Sequence, residues 1–317
     1  MKVSLIVPMY NVEKYIEDCL NSLEKQTLSD MEVILIDDGC TDHTIDKVQP
    51  YLERHPKLFK LFHKENGGLS DARNYGIPYA TGKYIALLDS DDFVDETLYE
   101  DLANKMDEGY DVVVTDIEYW YEDVSKRFVM KGLSDIDAPS IQKRALLSPM
   151  FAWNKMYVTS LFQEEGYRYP LNTWYEDIPV TTMIFAKAKK IGYLNQCHIH
   201  YRQREGSIMS KVNSPRIKEI FQVMESVREN FEREGLYKEY FDEIEYLHIE
   251  HLRLYGMFRF IRSNQWKELY ETSNRVMMAC FPNWKKNKYI KYLNNKNQLF
   301  LKWYNRYTAW LFHAVIK

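Results

Sequence analysis

Cysteine is scarce in this chain of 317 residues, whose four thiols, Cys19, Cys40, Cys197 and Cys280, stand far apart with no CxxC spacing. That pattern suggests neither a cysteine zinc site nor a disulfide framework, and it suits a reducing cytosolic setting. Long apolar runs are missing as well. No stretch approaches the ~18 residues a membrane-spanning helix needs. The apolar start Val3 to Val7 is too short for a secretory core, and Pro8, Asn11 and Glu13 interrupt it at once. There is no internal repeat and no low-complexity segment. Excess basic charge is absent too: the formal net charge is -4, which argues against a protein dedicated to nucleic acid. What is present is 45% hydrophobic and 28% charged residues, enough to bury a full core in one large domain or two smaller ones.

The opening VSLIVPMY is continuously apolar and short, as a strand buried on both faces must be, and it ends in a turn at Pro8 to Asn11. VEKYIEDCLNSLEKQ follows, with Tyr15, Ile16, Cys19, Leu20 and Leu23 at helical spacing. MEVILIDDG is a second buried strand, TIDKVQPYLERH a partial helix, LFKLFHKEN an edge or third strand, and LSDARNYGIPYA a helix after the Gly67-Gly68 turn. GKYIALLDSDD closes the series as another apolar strand ending in acids. Strands and helices alternating at this spacing predict an α/β fold: a Rossmann-like, mostly parallel sheet flanked by helices, with ligands at the carboxyl ends of the strands. DVVVTDIEYWY predicts a further strand with VSKRFVMKG as hairpin partner, and residues 140 to 210 read as short helices mixed with loops. From Pro215 the pattern is helical, so the expected division is an α/β domain over 1–212 and a helical C-terminal region over 213–317.

The chemistry concentrates in LLDSDDF, where an apolar strand delivers Asp89, Ser90, Asp91 and Asp92 into a loop. Hard divalent cations such as Mg²⁺ bind through one or two carboxylates while substrate phosphates fill other positions. A lone DxD is equally a helix N-cap or a solvated turn. Asp38 follows a buried strand, where a carboxylate can accept a hydrogen bond from a nucleobase N–H; Asp38-Gly39 is also a good turn pair. Arg73 lies one turn into a helix, near a positive end suited to phosphate, though a surface arginine on a capped helix has the same spacing. Glu176 and Asp177 stand side by side in NTWYEDIP, and such a pair at a helix start ordinarily serves the helix dipole. His198 and His200 alternate along one strand face and read as structural.

The segments VSLIVPMYNVEKYIEDCLNSLEKQT, VILIDDGCTD, ENGGLSDARNYG and YIALLDSDD, in this order and spacing, resemble family 2 of the inverting glycosyltransferases over roughly residues 1 to 210. The resemblance implies the glycosyltransferase A fold and a bacterial polysaccharide or cell-wall enzyme. It implies transfer of a hexose or N-acetylhexosamine from a UDP-sugar to a hydroxyl of a lipid-linked or polymeric saccharide, with Mn²⁺ or Mg²⁺ as cofactor. Residue by residue, it implies that Pro8, Tyr10 and Asp38 hold uracil, that Asn66 and Arg73 line the nucleotide, that Asp89, with Ser90 beside it, meets the ribose, and that Asp91 is the metal ligand. FAWNKMY places Trp153, Asn154 and Lys155 around the sugar or acceptor, and HIHYRQREGSIMS places Arg204 and Ser207 in a loop over the diphosphate. Glu176 joins the donor site and Asp177 is the general base. The usual serine after Asp-Asp-Gly is Cys40 here, a small departure.

From Phe281 to Lys317 there are eight Lys or Arg residues and no acid, interleaved with Trp284, Tyr289, Tyr292, Trp303, Tyr304, Tyr307 and Trp310. Basic and aromatic residues on a helix apolar around much of its circumference suit an anionic bilayer surface. The tail therefore predicts a cytoplasmic protein that docks peripherally on the inner face of the plasma membrane, the alternative being a terminal helix packed on the core. Two other readings of the whole chain stay open. A nucleotidyltransferase of similar fold is weakened by the lack of a lysine- and glycine-rich phosphate loop near residue 11, and a silent sugar-binding module has no need for Asp89, Asp91 and Asp177 together.

Overall fold

The structure is a computed structural model that describes residues 1–204, 211–305 and 307–316. The chain divides into two compact units. The first takes residues 1–134, 148–172 and 187–204, and the second takes 135–147, 173–186 and 205–317.

Among the described residues of the first unit, nine strands form one sheet. They are β1 (Val3–Met9), β2 (Met31–Asp37), β3 (Phe59–His63), β4 (Tyr84–Leu87), β5 (Phe93–Val94), β6 (Val112–Trp120), β7 (Phe128–Met130), β8 (Lys155–Val158) and β9 (Ile191–Arg202). The order is β3-β2-β1-β4-β8-β6-β9-β5, with β7 paired to β6. β3, β2, β1 and β4 run parallel, as expected from their continuous apolar runs: every residue of β1 and β2 is buried. Beyond β4 the sheet is mixed, because β8 is antiparallel to both β4 and β6, while β9 is parallel to β6 and antiparallel to β5.

The helices α1 (Ile16–Glu24), α2 (Thr44–Arg54), α3 (Leu69–Gly76) and α4 (Leu98–Met106) flank the sheet. α3 packs on β1 and β2 through Gly76, where an added Cβ would come within 2.7 Å of the Ile6 side chain. β1 pairs with β2 on one side and β4 on the other, so the chain reverses its direction of winding at β1. The carboxyl ends of these three strands lead directly into Tyr10, Asp38 and Leu88-Asp89. Such a switch point leaves a crevice at the strand ends.

The stretch from 140 to 210, expected as short helices and loops, contains the helices α5 (Ile141–Leu146) and α6 (Ser160–Gln163) but also β8 and β9. β9 is twelve residues long, longer than the strand face read at His198 and His200, and its tyrosines, histidines and arginine hide the alternation over the rest. Its pairing with β6 carries register shifts at Thr115 to Ile117.

The second unit holds α5, α7 (Asp177–Lys187) up to Ala186, α8 (Glu219–Arg233), α9 (Phe241–His248), α10 (Tyr255–Arg262), α11 (Trp266–Cys280), α12 (Asn295–Trp303) and α13 (Ala309–Ile316). α9 and α10 are joined by a π turn over Ile249–Leu254. Gly256 permits that widened turn: a Cβ there would lie 1.7 Å from the His251 carbonyl oxygen. Among the described residues, no helix is long and apolar enough to cross a membrane.

Candidate active site

The acid loop follows β4 as a tight turn, with the Asp92 N–H donating to the Asp89 carbonyl at 3.1 Å. Each of its carboxylates meets a different cation or amide. Asp89 accepts from the Arg73 guanidinium at 2.7 Å, and Asp91 accepts from Arg204 Nε at 2.7 Å. Both acids keep 23% of their side-chain surface exposed, whereas Arg73 keeps 2%. Asp92 is fully buried and, among the described residues, accepts only from the Arg202 N–H, at 2.8 Å through Oδ1. Burial first, then the Asp91 and Asp89 charges, pushes its carboxyl well above the usual carboxylate range.

Arg202 locks this loop from β9. Its Nε donates to the Asp91 carbonyl at 2.9 Å, its Nη2 to Asp18 at 2.7 Å, and its guanidinium lies within 5.4 Å of the Tyr15, Phe93 and Trp120 ring centres. The sequence reading did not single out Arg202 or Tyr201. Their signal was present in HYRQR, where an arginine recurs two residues before Arg204.

Two neighbouring loops are tied to the same edge. Asn11, in left-handed conformation at φ 52°, accepts from the Thr41 N–H at 2.8 Å, and the Thr44 hydroxyl accepts from the Val12 N–H at 2.9 Å. This knits the turn after β1, with Pro8 in the buried strand and Tyr10 half exposed, to the Asp38 loop. Asp38 is buried and accepts four side-chain or amide donors: Lys64 Nζ at 2.5 Å, Gly67 N–H at 2.9 Å, Gly68 N–H at 2.8 Å and Asn66 Nδ2 at 3.2 Å. Four donors fill a carboxylate's capacity. Asp38 and Asn66 therefore act as the fastener of the 64–68 loop, a role that the sequence did not disclose. Asp37 beside it accepts from Cys40 N–H and His63; burial opposes its charge, but these bonds hold its carboxyl below the ordinary value.

Arg73 is not a surface arginine: it is a buried partner of Asp89, and its guanidinium lies 5.5 Å from the Tyr169 ring centre.

Trp153 stacks on Phe151, at 5.0 Å between centroids, and lies 5.0 Å from Tyr201. Burial pushes the Tyr201 phenol upward, and the neighbouring acidic groups add to the shift. Tyr201 directly precedes Arg202, whose N–H donates to Asp92, so Trp153 packs against the strand that holds the acid loop. Asn154 and Lys155 turn inward: Lys155 is 1% exposed, and its ammonium donates to Pro149 O at 3.1 Å, Phe151 O at 2.5 Å and Asn154 Oδ1 at 2.6 Å, while Asn154 Nδ2 donates to Thr115 O at 2.9 Å. A buried ammonium needs its protons satisfied, and these bonds shape the turn that presents Trp153. His198 and His200 are structural in this geometry, His200 lying between Glu118 at 2.6 Å and Asp95 at 3.0 Å.

Glu176 and Asp177 belong to the second unit, Glu176 buried and Asp177 half-buried at the first position of α7. Ser207 lies outside the described residues.

Whether a divalent cation fits can be judged from the donors. Among the described residues, no group of three or more His, Cys, Asp or Glu side chains is arranged to hold a metal. Asp91 and Asp89 offer partly exposed carboxylate oxygens at one loop. That set fits a cation arriving with a diphosphate, whose oxygens complete its shell.

A parallel half-sheet whose switch point carries an acid loop is the architecture of an α/β enzyme that handles its ligand at the strand ends. The model of glycosyl transferase family 2 matches residues 4–185, and the chain belongs to that family. It is a glycosyltransferase of the glycosyltransferase A fold, with a mixed sheet and a helical C-terminal region. It is 30% identical over 229 residues to the uncharacterized glycosyltransferase EpsJ of Bacillus subtilis, the match covering 69% of this chain and 66% of that protein. It is 31% identical over 219 residues to the poly(ribitol-phosphate) beta-N-acetylglucosaminyltransferase TarS of Staphylococcus aureus, covering 66% of this chain but 37% of TarS. Among solved structures, S. aureus TarS 1-349 in complex with UDP-GlcNAc superposes with a TM-score of 0.73 at 23% identity, over 100% of this chain and 89% of that one. A mannosyltransferase from Pyrobaculum calidifontis in complex with GDP-Man and Mn²⁺ gives 0.56 at 17% identity, over 99% and 84%. At these identities the two structures speak for the fold.

Proposed function

We propose that the chain is an inverting transferase that moves a hexose or N-acetylhexosamine from a UDP-sugar to a hydroxyl of a lipid-linked or polymeric saccharide of the cell envelope. The observation that carries this reading is the acid loop of Asp89 to Asp92, set beside the fastened Asp38 loop at the switch point of the sheet. The complex of TarS with UDP-GlcNAc supports a UDP-sugar as donor.

In this reading Pro8, Tyr10 and the loop held by Asp38 and Asn66 receive the uracil. Asp89, oriented by Arg73, meets the ribose, with Ser90 behind it. Asp91 would hold Mn²⁺ or Mg²⁺, which when bound neutralises the diphosphate leaving group. Arg204 and Ser207 frame the diphosphate from the chain after β9. Trp153, presented by Asn154 and Lys155, frames the sugar, and Glu176 assists on the donor side. Asp177 takes the proton of the acceptor hydroxyl as its oxygen attacks the anomeric carbon from the face opposite UDP, in a single displacement.

The tail supports membrane contact. Leu299, Trp303, Tyr307, Trp310 and Leu311 are exposed on α12, α13 and the turn between them, in a stretch with eight basic residues and no acid. The chain then works in the cytoplasm, peripherally on the inner face of the plasma membrane, close to a lipid-linked acceptor.

The experiment pairs sugar transfer from a panel of UDP-sugars with UDP titration calorimetry in Mn²⁺ and in EDTA. Asp177→Asn keeps UDP affinity and loses about 10² to 10⁴ in transfer rate, and Asp91→Asn removes the gain in UDP affinity that Mn²⁺ gives. Full transfer by Asp177→Asn with a dead Glu176→Gln would mean the other carboxylate is the base. UDP binding without any transfer by the native protein would leave a silent binding module.

A further inference from the structure

The peptide entering the Glu176-Asp177 pair is held by side chains from helices far along the chain, all within the second unit. Trp174 is buried, and its N–H donates to Glu219 Oε2 at 2.6 Å. The same carboxylate is forked by Arg216, through Nε at 2.7 Å and Nη2 at 3.1 Å. The guanidinium carbons of Arg216 and Arg259 each lie 5.2 Å from the centre of the Trp174 ring. Arg259, itself buried, also donates through Nη1 to the Tyr175 hydroxyl and lies 5.5 Å from the Tyr175 ring.

Tyr175 is bent in a way its chemistry disfavours. Its φ is 64°, and in that left-handed region the Cβ of a bulky residue crowds the backbone. Such a conformation persists only where the surroundings over-determine it, and it is concentrated at functional sites. Here the surroundings are the Arg259 bond on the ring hydroxyl, the fastened Trp174 before it, and the Ile178 N–H, which donates to the Tyr175 carbonyl at 3.2 Å. A left-handed residue two positions ahead of Asp177 sets the direction in which the chain enters α7, and with it the aim of both carboxylates.

We propose that Arg259, with Arg216 and Glu219, is a positioning clamp for the general base: it keeps Tyr175 in its left-handed turn so that Asp177 is presented to the acceptor hydroxyl. The C-terminal helices are thereby part of the catalytic machinery through α8 and α10. The inference rests on the reading of Asp177 as base. It accounts for a buried arginine shared between Trp174 and Tyr175, which helix packing alone does not require. Misplacement of a catalytic group by about 1 Å costs on the order of 10²-fold in rate.

The test measures amide hydrogen exchange over residues 173–178, UDP release in Mn²⁺ from the UDP-sugar of the panel that the native chain turns over fastest with water as acceptor, and UDP affinity, for the native chain and Arg259→Gln. The expected result is exchange faster by about tenfold or more in that segment, UDP release slower by about 10²-fold, and UDP affinity unchanged. Glycine adopts φ 64° without help, so Arg259→Gln combined with Tyr175→Gly should release UDP no more slowly than the poorer single variant. Losses that multiply as independent effects would overturn the clamp, as would native exchange in Arg259→Gln. Should Arg259→Gln lose its helical circular dichroism, Arg259→Lys, which keeps the charge without the planar fork, carries the same measurement. Asp177→Asn is run alongside. Its full activity would remove the base assignment and with it the catalytic role of the clamp, whereas native exchange in Arg259→Gln would remove the clamp and leave the base assignment standing.

Discussion

Arg73→Met tests whether the acid loop is held from beneath or whether Arg73 meets the donor itself. The structure makes Arg73 a 2% exposed guanidinium bonded to Asp89 at 2.7 Å. Removing one partner of a fully buried pair costs about 3–5 kcal/mol, because the charge left behind has no compensation. Asp89 retains 23% of its side-chain surface, so water partly replaces the lost partner, and about 2–3 kcal/mol is the expected loss. Methionine fills much of the volume against Tyr169, which limits any added cavity cost. For a unit of this size 1 kcal/mol moves Tm by about 2–4 °C, so Tm should fall by roughly 4–12 °C. Differential scanning calorimetry with and without 1 M NaCl is the assay. Salt should change the difference little, since a buried pair is screened far less than an exposed one. A native Tm together with a lower UDP affinity that salt weakens further would refute the argument, and would mean that Arg73 spends its charge on phosphate.

Lys64→Met should loosen the loop over 64–68 by removing the donor shared between Asp38 at 2.5 Å and Asp71 at 2.6 Å; a loss of about 1–3 kcal/mol and weaker UDP binding are expected by melting and calorimetry. Glu250, in the π turn, has its carboxyl pushed up to about 8 by burial, with a Tyr246 hydrogen bond opposing. The folded state then holds a proton that the unfolded state releases near pH 4.3, so Glu250 favours folding fully below that pH and loses this contribution as pH rises towards 8. Tm should fall across that window in the native chain and stay flatter in Glu250→Gln. Trp303→Ser with Trp310→Ser should reduce pelleting with vesicles of anionic phospholipid while leaving Tm near native, since both side chains are exposed; unchanged pelleting would remove the tail from the membrane reading.

The tail illustrates where sequence ends and structure begins. Its charge bias and aromatic content are plain in the sequence, yet Trp284, Tyr289 and Tyr304 are buried in the helical unit while Trp303, Tyr307 and Trp310 are exposed. Deleting residues 281–317 would therefore strip core as well as surface, and point variants are the sounder probe. Arg73 and Asp38 give the same lesson at the strand ends. Their presence in a nucleotide-binding edge was legible, but their partners, Asp89 for one and the Lys64 to Gly68 loop for the other, lie 16 to 30 positions away along the chain.

The sequence alone determined the parallel half of the sheet, because β1 and β2 are continuous apolar runs that only burial on both faces can satisfy, and each is followed directly by its polar loop. It likewise determined the acid loop, whose residues are consecutive. Tertiary structure decided everything carried by contacts between distant segments. β9 gained its place by pairing with β6 despite a polar pattern, Arg202 reached Asp91 and Asp92 from that strand, and Arg259 reached Trp174 and, across 84 positions, Tyr175. The physical reason is that periodicity records which face of an element is buried, whereas the partner of a buried charge is fixed only when the chain closes around it.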